Sequence, residues 1–308
     1  MIRDFEPADA EGIAEIVHQD DPPQALTPAG IRHWLVAQPE RARARLWVAE
    51  EESRIVGWAE ARLRWSTSAE GLADFWAFVA PGSRRAGLGA ALFDRATGYL
   101  AEIGARVLET WSYSPAGAAL LGARGFRVTG TERVSVLDPG QADTSALDVL
   151  AAEKKREGFR LVRLAEVFER VAELHEVYAA ASADVPEYFP EDDIRLEEWR
   201  RETLEHPQLT REGSFVVCAG DRPVALAFLE VDEPALLGAN ELTGTLPEFR
   251  RRGLARLAKL TSIRWAAERG LTAIWTANAE KNVGMVRLNE SLGYRPVHTE
   301  GHYIREGA

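Results

Sequence analysis

Two short basic runs have residue types and spacing suited to holding a phosphate group. The first is Arg84-Arg85-Ala86-Gly87-Leu88-Gly89, and the second is Arg250-Arg251-Arg252-Gly253-Leu254-Ala255. Each follows a hydrophobic run that ends in a proline, and each opens a stretch with helical apolar spacing. The first turn of a helix has unpaired backbone N–H groups and partial positive charge, so it binds anions. The sequence therefore predicts two phosphate sites, 166 positions apart.

The type of phosphate group can be narrowed from the same residues. A glycine in each run lets the backbone approach a ligand, and the arginines add full positive charge. Neither run ends in the Gly-Lys-Ser/Thr of a Walker-type nucleotide loop. The dinucleotide fingerprint needs a third glycine, but position 92 is Leu92, and the second run has Ala255 with no later glycine. Both nucleotide-loop classes are therefore weakly supported.

The pattern resembles the acyl-CoA pyrophosphate loop of the GNAT superfamily of N-acetyltransferases, Arg/Gln-x-x-Gly-x-Gly/Ala. In both halves a proline closes the preceding strand, at Val79-Ala80-Pro81 and Thr245-Leu246-Pro247. In both halves a second family-like segment ends in Gly-aromatic, at Gly125-Phe126 and Gly293-Tyr294. The resemblance covers nearly the whole chain as two tandem copies. This arrangement is similar to that of the tandem family that includes mycothiol synthase, although the match does not imply that substrate.

The resemblance implies acetyl-CoA or another acyl-CoA as co-substrate, bound by strand backbone along its pantetheine arm and by loop N–H groups at its pyrophosphate. None of the six histidines has the spacing of metal ligands, so we assign no metal. The residues implied in binding acyl-CoA are Val79, Ala80, Arg84, Arg85, Ala86, Gly87, Leu88, Gly89, Ala90, Thr245, Leu246, Arg250, Arg251, Arg252, Gly253, Leu254, Ala255, Arg256, Asn278 and Asn282.

A general base is the next requirement, because the attacking amine must lose a proton. Glu241 lies on the predicted central strand of the second copy, just before the region implied to hold the thioester. A partly desolvated carboxyl there has a raised pKa and accepts an amine proton, directly or through water. Two other roles for Glu241 stay open, namely binding a substrate cation and facing solvent. The position 166 residues earlier is Phe75, which cannot act as a base.

The general acid is where the chain departs from the family pattern. Many members have a tyrosine four residues before the Gly-aromatic pair, placed to protonate the thiolate. Here those positions hold Leu121 and Asn289. Leu121 donates no proton, and Asn289 donates a hydrogen bond without acting as an acid. A free thiol has a pKa of about 8.5, so the thiolate can leave without full protonation.

The second copy has the denser set of polar residues. Asn278, Asn282 and Asn289 precede its Gly-aromatic pair, and this run resembles the active half of tandem GNAT proteins. Asn282 also stands where its side chain can cap a helix, as does Ser114 in the first copy. We therefore predict that the second copy catalyses the reaction, with Glu241 and Asn289 as catalytic residues. The first copy is expected to bind acyl-CoA without turnover or to have a structural role.

The expected acceptor is the primary amine of a small molecule, attacking directly in a ternary complex. Segment 184–193 is acidic with interleaved aromatic residues, and its Asp184 and Glu187 are the candidate contacts to a cationic amine. A solvated loop leading into a helix over 194–204 explains the segment equally well. The formal net charge of −11 suits a cationic substrate and argues against nucleic acid or an anionic membrane as the main partner.

The elements that must position these residues occur in the same order in both halves, and alternating strands and helices predict an α/β mixed sheet. The resemblance implies two tandem GNAT folds, each a mixed, mostly antiparallel twisted sheet flanked by helices. Periodicity and turn residues predict strands over 1–5, 45–49, 55–61, 75–79 and 106–110, and helices from about 7, from about 27, over 88–103 and over 116–123. The second half repeats this with strands over 159–164, 215–219, 223–231, 241–246 and 271–277, and helices over 167–181, 254–268 and 283–292.

The domain prediction is an N-terminal GNAT domain over 1–137, a connector over 138–157 and a C-terminal GNAT domain over 158–308. The connector begins with the turn-rich Asp138-Pro139-Gly140 and continues as a charged, alanine-rich stretch. The chain has 308 residues, of which 46% are hydrophobic, enough for two cores. Each copy can bury a sheet edge of the other, so we expect a monomer with an internal pseudo-dimer, or a homodimer.

Composition favours a cytoplasmic protein. The N-terminus has early acidic residues and no apolar signal segment, and no apolar run reaches membrane-spanning length. The single cysteine, Cys218, excludes an intrachain disulfide and lies in an apolar run typical of a buried strand.

The leading hypothesis is an acyl-CoA-dependent N-acyltransferase, most simply an N-acetyltransferase that uses acetyl-CoA. Two alternatives stay open. A non-catalytic acyl-CoA-binding or sensor protein is favoured by the missing tyrosines and opposed by the intact loops and the asparagine-rich second copy. A protein lysine or N-terminal acetyltransferase requires an acidic groove that accepts peptides.

Overall fold

The structure, a computed structural model, describes residues 1–19, 25–186, 188–189 and 191–307. Its internal contacts divide the chain into two compact units. The first comprises Met1–Glu132 with Thr299–Ala308, and the second comprises Arg133–His298. The residues from Thr299 onward therefore belong to the first unit, whereas sequence analysis placed them in the C-terminal domain. The predicted limits of two GNAT domains, 1–137 and 158–308, stay predictions.

The elements follow each other in an order that repeats between the units. In chain order they are β1 (Ile2–Asp4), α1 (Ala10–His18), α2 (Pro28–Ala37), β2 (Arg45–Glu51), β3 (Arg54–Leu63), β4 (Leu72–Val79), α3 (Leu88–Glu102), β5 (Val107–Ser112), α4 (Pro115–Ala123), β6 (Arg127–Leu137), α5 (Leu147–Arg156), β7 (Phe159–Arg163), α6 (Leu164–Val167), α7 (Val171–Ser182), α8 (Leu196–Trp199), a π-helix (Arg200–Leu204), β8 (Phe215–Ala219), β9 (Arg222–Asp232), β10 (Leu237–Thr245), α9 (Leu254–Glu268), β11 (Ala273–Ala279), α10 (Val283–Ser291) and β12 (Arg295–Glu306).

Each unit has a mixed sheet with helices against it. The first unit orders its strands β1-β2-β3-β4-β5, and residues Gly301–Glu306 of β12 pair antiparallel with β5. The second unit orders its strands β7-β8-β9-β10-β11, with the part of β6 from Arg133 onward next to β11. The pairs β4–β5 and β10–β11 are parallel, and the other registered pairs are antiparallel. The predicted fold class, α/β with mostly antiparallel sheets flanked by helices, is confirmed.

Sequence analysis missed two long strands, β6 and β12. Their sequences, RVTGTERVSVL and RPVHTEGHYIRE, mix charged and apolar residues, and each contains glycine. β12 also has a proline at its second residue, a type that is usually found outside central strands. Neither sequence therefore shows the clear alternation on which strand prediction depends.

Apolar helix faces build the two cores. In the first unit α3 buries Leu92, Phe93, Ala96 and Leu100, and in the second unit the corresponding stripe on α9 includes Leu257, Leu260, Ile263 and Ala266. Cys218 is a fully buried residue of β8, as its apolar surroundings predict. Within the described part of the chain, no helix combines the length and the apolar character needed to cross a bilayer.

The predicted connector contains a helix that packs on the second unit. Helix α5 lies against β7 and α9, and Leu147 and Lys154 on it are buried. Arg264 of α9 donates to the Asp148 carboxylate at 2.7 Å and to the Thr144 carbonyl at 2.9 Å. Segment 138–157 is therefore an integral layer of the second unit, against the face of α9.

A buried ion pair stabilises the first unit and gives a testable prediction. Glu109 on β5 is fully buried, accepts from Arg64 Nη1 at 2.6 Å and lies 3.2 Å from His302 Nε2 on β12. In the Glu109→Gln variant the Arg64 guanidinium loses its carboxylate in a dry site. We expect the free energy of unfolding to fall by about 3 kcal/mol, measured by urea denaturation. The control is Glu70→Gln.

Glu70 is the exposed partner of Arg106 at 3.7 Å, and an exposed pair of this kind adds little stability. The Glu70→Gln variant should unfold with the wild-type midpoint. Equal midpoints for all three proteins would contradict the stabilising role of Glu109.

Candidate active site

Both basic loops have the same backbone geometry. In the first loop φ is 68° at Arg85 and 83° at Gly87, and in the second it is 59° at Arg251 and 76° at Gly253. The two glycines are the N-cap residues of α3 and α9. Because a glycine has no side chain to cap the helix, the N–H groups of both first turns remain available to an anion.

The first arginine of each loop fixes the loop to the end of the central strand. Arg84 Nε donates to the Val79 carbonyl at 2.9 Å, and Arg250 Nε donates to the Thr245 carbonyl at 3.1 Å. Arg250 also forms an ion pair with Asp184. Asp184, a predicted substrate contact, therefore lies beside the second loop. Glu187, the other predicted contact, lies outside the described residues.

The remaining residues implied in acyl-CoA binding lie in these strand ends, loops and first helical turns. Leu246 and Leu254 bury their side chains, so only their backbone groups face outward from the core. Arg256 Nη1 donates to Ser291 Oγ at 2.6 Å and so ties α9 to α10. The others in this group are Ala80, Ala86, Leu88, Gly89, Ala90, Arg252 and Ala255.

The surroundings of the two loops differ. A Cβ built on Gly87 meets no atom within 4 Å, whereas one on Gly253 lies 3.7 Å from Lys154 Cε and 3.9 Å from Leu150 Cδ1. Lys154 is paired with Glu153 at 2.8 Å and with Glu157 at 2.7 Å. Helix α5 therefore packs against the second loop.

The central strand of each unit pairs with its parallel neighbour over a short distance only. β4 pairs with β5 over Leu72–Asp74, and β10 pairs with β11 over Leu237–Ala239. Both central strands continue for five or more residues beyond the last pair. In the described ranges, the continuing residues have no registered strand partner on that side, which leaves room for a ligand along the strand.

A β-bulge distinguishes the second central strand. The β9–β10 register shifts between Asn240 and Thr243, so Glu241 and Leu242 together oppose Phe228. The β3–β4 register runs without a shift from Leu63↔Ala73 to Gly57↔Val79. β10 therefore has one residue more than β4. The constant spacing of 166 positions paired Glu241 with Phe75, but the extra residue means that the two do not correspond. Bulges re-aim side chains and are frequent next to active sites.

The Glu241 carboxyl lies in a polar pocket of the second unit. Tyr178 Oη on α7 donates to Glu241 Oε1 at 2.8 Å, and Oε2 is buried without a hydrogen-bond partner in the described residues. Burial first, and then the charge of Glu230, raise the pKa of Glu241 well above that of an ordinary carboxyl. A carboxyl with a raised pKa holds a proton more firmly than an ordinary carboxyl, which suits it to accept one from an amine.

Sequence analysis placed Glu191 in the acidic segment 184–193, but it did not relate Glu191, Glu202 or Glu230 to Glu241. The charges of Glu230, Glu202 and Glu191 all raise the pKa of Glu241, although they come from β9, the π-helix and segment 184–193. His206 lies 3.1 Å from Glu230, and although burial opposes it, this contact raises the pKa of the histidine. A concentration of carboxyl groups at one point favours a cationic ligand.

The predicted acid position, Asn289, belongs to a buried polar chain. Lys259 Nζ donates to Asn289 Oδ1 at 2.6 Å, and Asn289 Nδ2 donates to Asn278 Oδ1 at 2.6 Å. Asn289 is 3% exposed and Lys259 is 1% exposed. Lys259 was not identified from the sequence, since lysine on an amphipathic helix ordinarily faces solvent.

Asn282 caps α10, since its side chain accepts a hydrogen bond from the Met285 N–H at 3.2 Å. Ser114 caps α4 in the same way, accepting from the Gly117 N–H at 2.9 Å. The capping role expected for both is confirmed, whereas the acyl-CoA contact of Asn282 stays a prediction.

The same region of the first unit is apolar. Leu121 is buried, and Phe75 packs edge-to-face on Phe93 and Phe126. Thr110 Oγ1 on β5 donates to the Phe75 carbonyl at 2.7 Å and so links the two strands just beyond their last pair. The first unit thus has a complete basic loop. Its central strand β4 has no bulge, and the position 166 residues before Glu241 holds Phe75.

Comparisons with known proteins agree with this geometry. The model of the Acetyltransferase (GNAT) family matches residues 10–126 and 161–294, most of both halves. A tandem GNAT protein from the clavulanic acid biosynthesis pathway superimposes with a TM-score of 0.72 at 18% identity, covering 100% of this chain and 98% of that one. No protein of curated function gives a significant match.

A GCN5-related N-acetyltransferase from Sphaerobacter thermophilus superimposes with a TM-score of 0.66 at 18% identity, covering 99% of this chain and 95% of that one. At these identities the superpositions support the fold alone, and the match to the family model supports the acetyltransferase activity. The chain therefore belongs to the GNAT family of acetyltransferases, with two GNAT regions in tandem.

Proposed function

We propose that the second unit transfers the acyl group of acetyl-CoA, or of another acyl-CoA, to the primary amine of a small molecule. The amine attacks the thioester directly in a ternary complex, and the first unit does not catalyse the reaction. The observation that carries this proposal is Glu241, a carboxyl in the strand bulge with one buried oxygen that has no hydrogen-bond partner among the described residues.

The residues of the second loop fit an acyl-CoA pyrophosphate. The N–H groups at the start of α9 have no side-chain cap, and Gly253 has no Cβ that would stand between them and a ligand. Arg251 and Arg252 add positive charge, and the backbone of Thr245 and Leu246 would lie along the pantetheine arm. When bound, acyl-CoA supplies the activated thioester; the chain supplies orientation and proton transfer.

Glu241 is the proposed general base. Tyr178 holds Oε1, so Oε2 is the oxygen left to receive the amine proton. As the new N–C bond forms and the C–S bond breaks, the amine proton passes to Glu241 and the sulfur leaves as a thiolate. Asn289, predicted as a catalytic residue, holds the Asn278 side chain, and the free Asn278 N–H stabilises the departing sulfur by hydrogen bonding rather than by proton donation.

The acidic surroundings of Glu241 favour an acceptor with positive charge. The charges of Glu230, Glu202 and Glu191 all act on Glu241, so an alkylammonium group is attracted there. It releases one proton to water before the attack, and the second proton is the one that passes to Glu241. Asp184 is paired with Arg250 beside the second loop, whereas the charges of Glu202 and Glu191 act on Glu241, so we propose that these two carboxylates attract the acceptor.

The test is thiol release from acetyl-CoA in the presence of a panel of small primary amines, with mass detection of the N-acetylated product. We expect release that depends on the amine, fastest with diamines, and none with the same compounds already N-acetylated. Acetyl-CoA binding without release would indicate a sensor protein. Acetylation confined to peptides would indicate a protein acetyltransferase and would contradict the small-molecule acceptor.

A further inference from the structure

Lys259 is a buried cation that no carboxylate of the described residues contacts. Its side chain lies on α9 in the second unit and is 1% exposed. Asn289 Oδ1 is the acceptor that its Nζ reaches, at 2.6 Å, and Nζ also lies 4.9 Å from the centre of the Tyr294 ring. Buried lysines ordinarily have an ionic partner, because three N–H donors and a full charge must be satisfied.

The hydrogen-bond directions around Lys259 follow from elementary chemistry. An ammonium group only donates, so the Asn289 amide must turn its oxygen toward Nζ. Its Nδ2 then faces Asn278 Oδ1, at 2.6 Å. Because Asn278 accepts through its oxygen, its own Nδ2 points away from Asn289 and remains a donor. One buried charge thus fixes the orientation of two amides.

A second contact connects Lys259 to the bulge. The Lys259 Nζ atom faces the ring of Tyr294. The hydroxyl of Tyr294 accepts from Asn240 Nδ2 at 2.7 Å, and Asn240 also donates to the Trp275 carbonyl at 3.3 Å. Asn240 immediately precedes Glu241 in the chain. Lys259 is therefore linked to Asn289 directly, and through Tyr294 to Asn240, the residue before Glu241.

We propose that Lys259 is a positioning residue of the second unit: its ammonium group orients the Asn289 amide, and through it the Asn278 amide, so that Asn278 offers a donor to acyl-CoA. This inference rests on the proposed function for its role in turnover. The orientation of the two amides follows from the contacts alone.

The protonation state of Lys259 decides whether that orientation is unique. Burial alone lowers the pKa of the Lys259 ammonium to about 7. The other titratable group in contact with Nζ is the Tyr294 phenol, which burial keeps neutral by raising its pKa. Among the described residues, no charged side chain contributes to the shift. When Lys259 is a neutral amine it can accept a hydrogen bond from Asn289 Nδ2. The side-chain amides of Asn289 and Asn278 are then free to flip.

The first experiment observes the amides directly in the full chain labelled with ¹⁵N-asparagine. Signals of Asn289 and Asn278 are assigned by their loss in the Asn289→Asp and Asn278→Asp variants. We expect both side-chain amide signals to shift with a common midpoint near the pKa of about 7, and to lose this shift in Lys259→Met. Asn289 and Asn278 signals that stay flat while Lys259 itself changes its protonation, or that are the same in Lys259→Met, would overturn the inference.

The second experiment asks whether the orientation matters for turnover with acetyl-CoA and an amine. We expect Lys259→Met to lower kcat at least tenfold, to leave KM for the amine unchanged, and to remove a limb of the pH profile. Lys155→Met, an exposed lysine on α5, is the matched control and should behave as wild type. A folded Lys259→Met protein with wild-type kcat would overturn the role.

The two results separate this inference from the proposed function. A wild-type protein that releases no thiol from acetyl-CoA with any amine overturns the proposed function, while the amide titration still decides the coupling. Thiol release with asparagine signals that do not respond to the protonation or removal of Lys259 overturns the Lys259 inference alone.

Discussion

Glutamine in place of Glu241 should lower kcat/KM for the amine by about 10²- to 10⁴-fold, the range expected for removing a general base. The substitution keeps the shape of the side chain and a hydrogen bond to Tyr178, so the loss reports the proton acceptor itself. The wild-type rate should rise with pH through the raised pKa of Glu241, and this limb should be absent from the Glu241→Gln profile.

Tyr178→Phe is the companion variant. The Tyr178 hydrogen bond lowers the pKa of Glu241 against the larger effect of burial, so its loss should move the pH limb to higher pH while activity is retained. A Glu241→Gln protein that keeps its activity within about threefold would show that another group takes the proton.

Stability measurements show whether the variant is folded. Burial raises the folded-state pKa of Glu241 above its unfolded value, so the folded state holds the proton more tightly between the two pKa values. The wild-type free energy of unfolding should therefore fall as pH rises through that window. Glu241→Gln should lack this contribution, so lost activity without lost stability identifies a chemical role.

The second large effect concerns the loop glycine. Gly253→Glu should abolish measurable acetyl-CoA binding at the second unit, because a carboxylate would stand at the helix start where the pyrophosphate is held. Losing two charge-assisted hydrogen bonds, at about 1.5–3 kcal/mol each, weakens Kd on the order of 10²- to 10⁴-fold. The positive φ of 76° at Gly253 adds strain for any other residue. Calorimetry with acetyl-CoA measures the effect.

Gly87→Glu is the matched control, since Gly87 has the same position and a φ of 83° in the first loop. We expect it to leave turnover unchanged, and to remove a second binding site if calorimetry of the wild-type protein shows two. Lost turnover in Gly87→Glu with normal turnover in Gly253→Glu would assign catalysis to the first unit.

Local signals explain why much of the fold could be predicted. The glycines at 87 and 253 adopt the positive φ that their place before a helix predicts, and the apolar stripes of α3 and α9 face the cores. These features depend on residues close together in the chain. Ser114 and Asn282 likewise cap helices that begin one residue later.

The parts that sequence reasoning missed depend on distant contacts or on a single residue of register. A constant spacing of 166 positions conceals the extra residue of the Glu241 bulge, which appears only in the pairing with β9. Glu202 and Glu230 meet Glu241 through tertiary packing. Asp184 pairs with Arg250, and no spacing rule relates those two positions.

The return of β12 to the first unit has a consequence for synthesis on the ribosome. The strand partner of β5, residues 301–306, is translated only after the entire second unit, Arg133–His298. At about 5–20 residues per second, that delay is roughly ten to forty seconds. Until then β5 has an open edge, and the carboxyl of Glu109 lacks its His302 partner. The N-terminal unit is thus the first to emerge from the ribosome and the last to be completed.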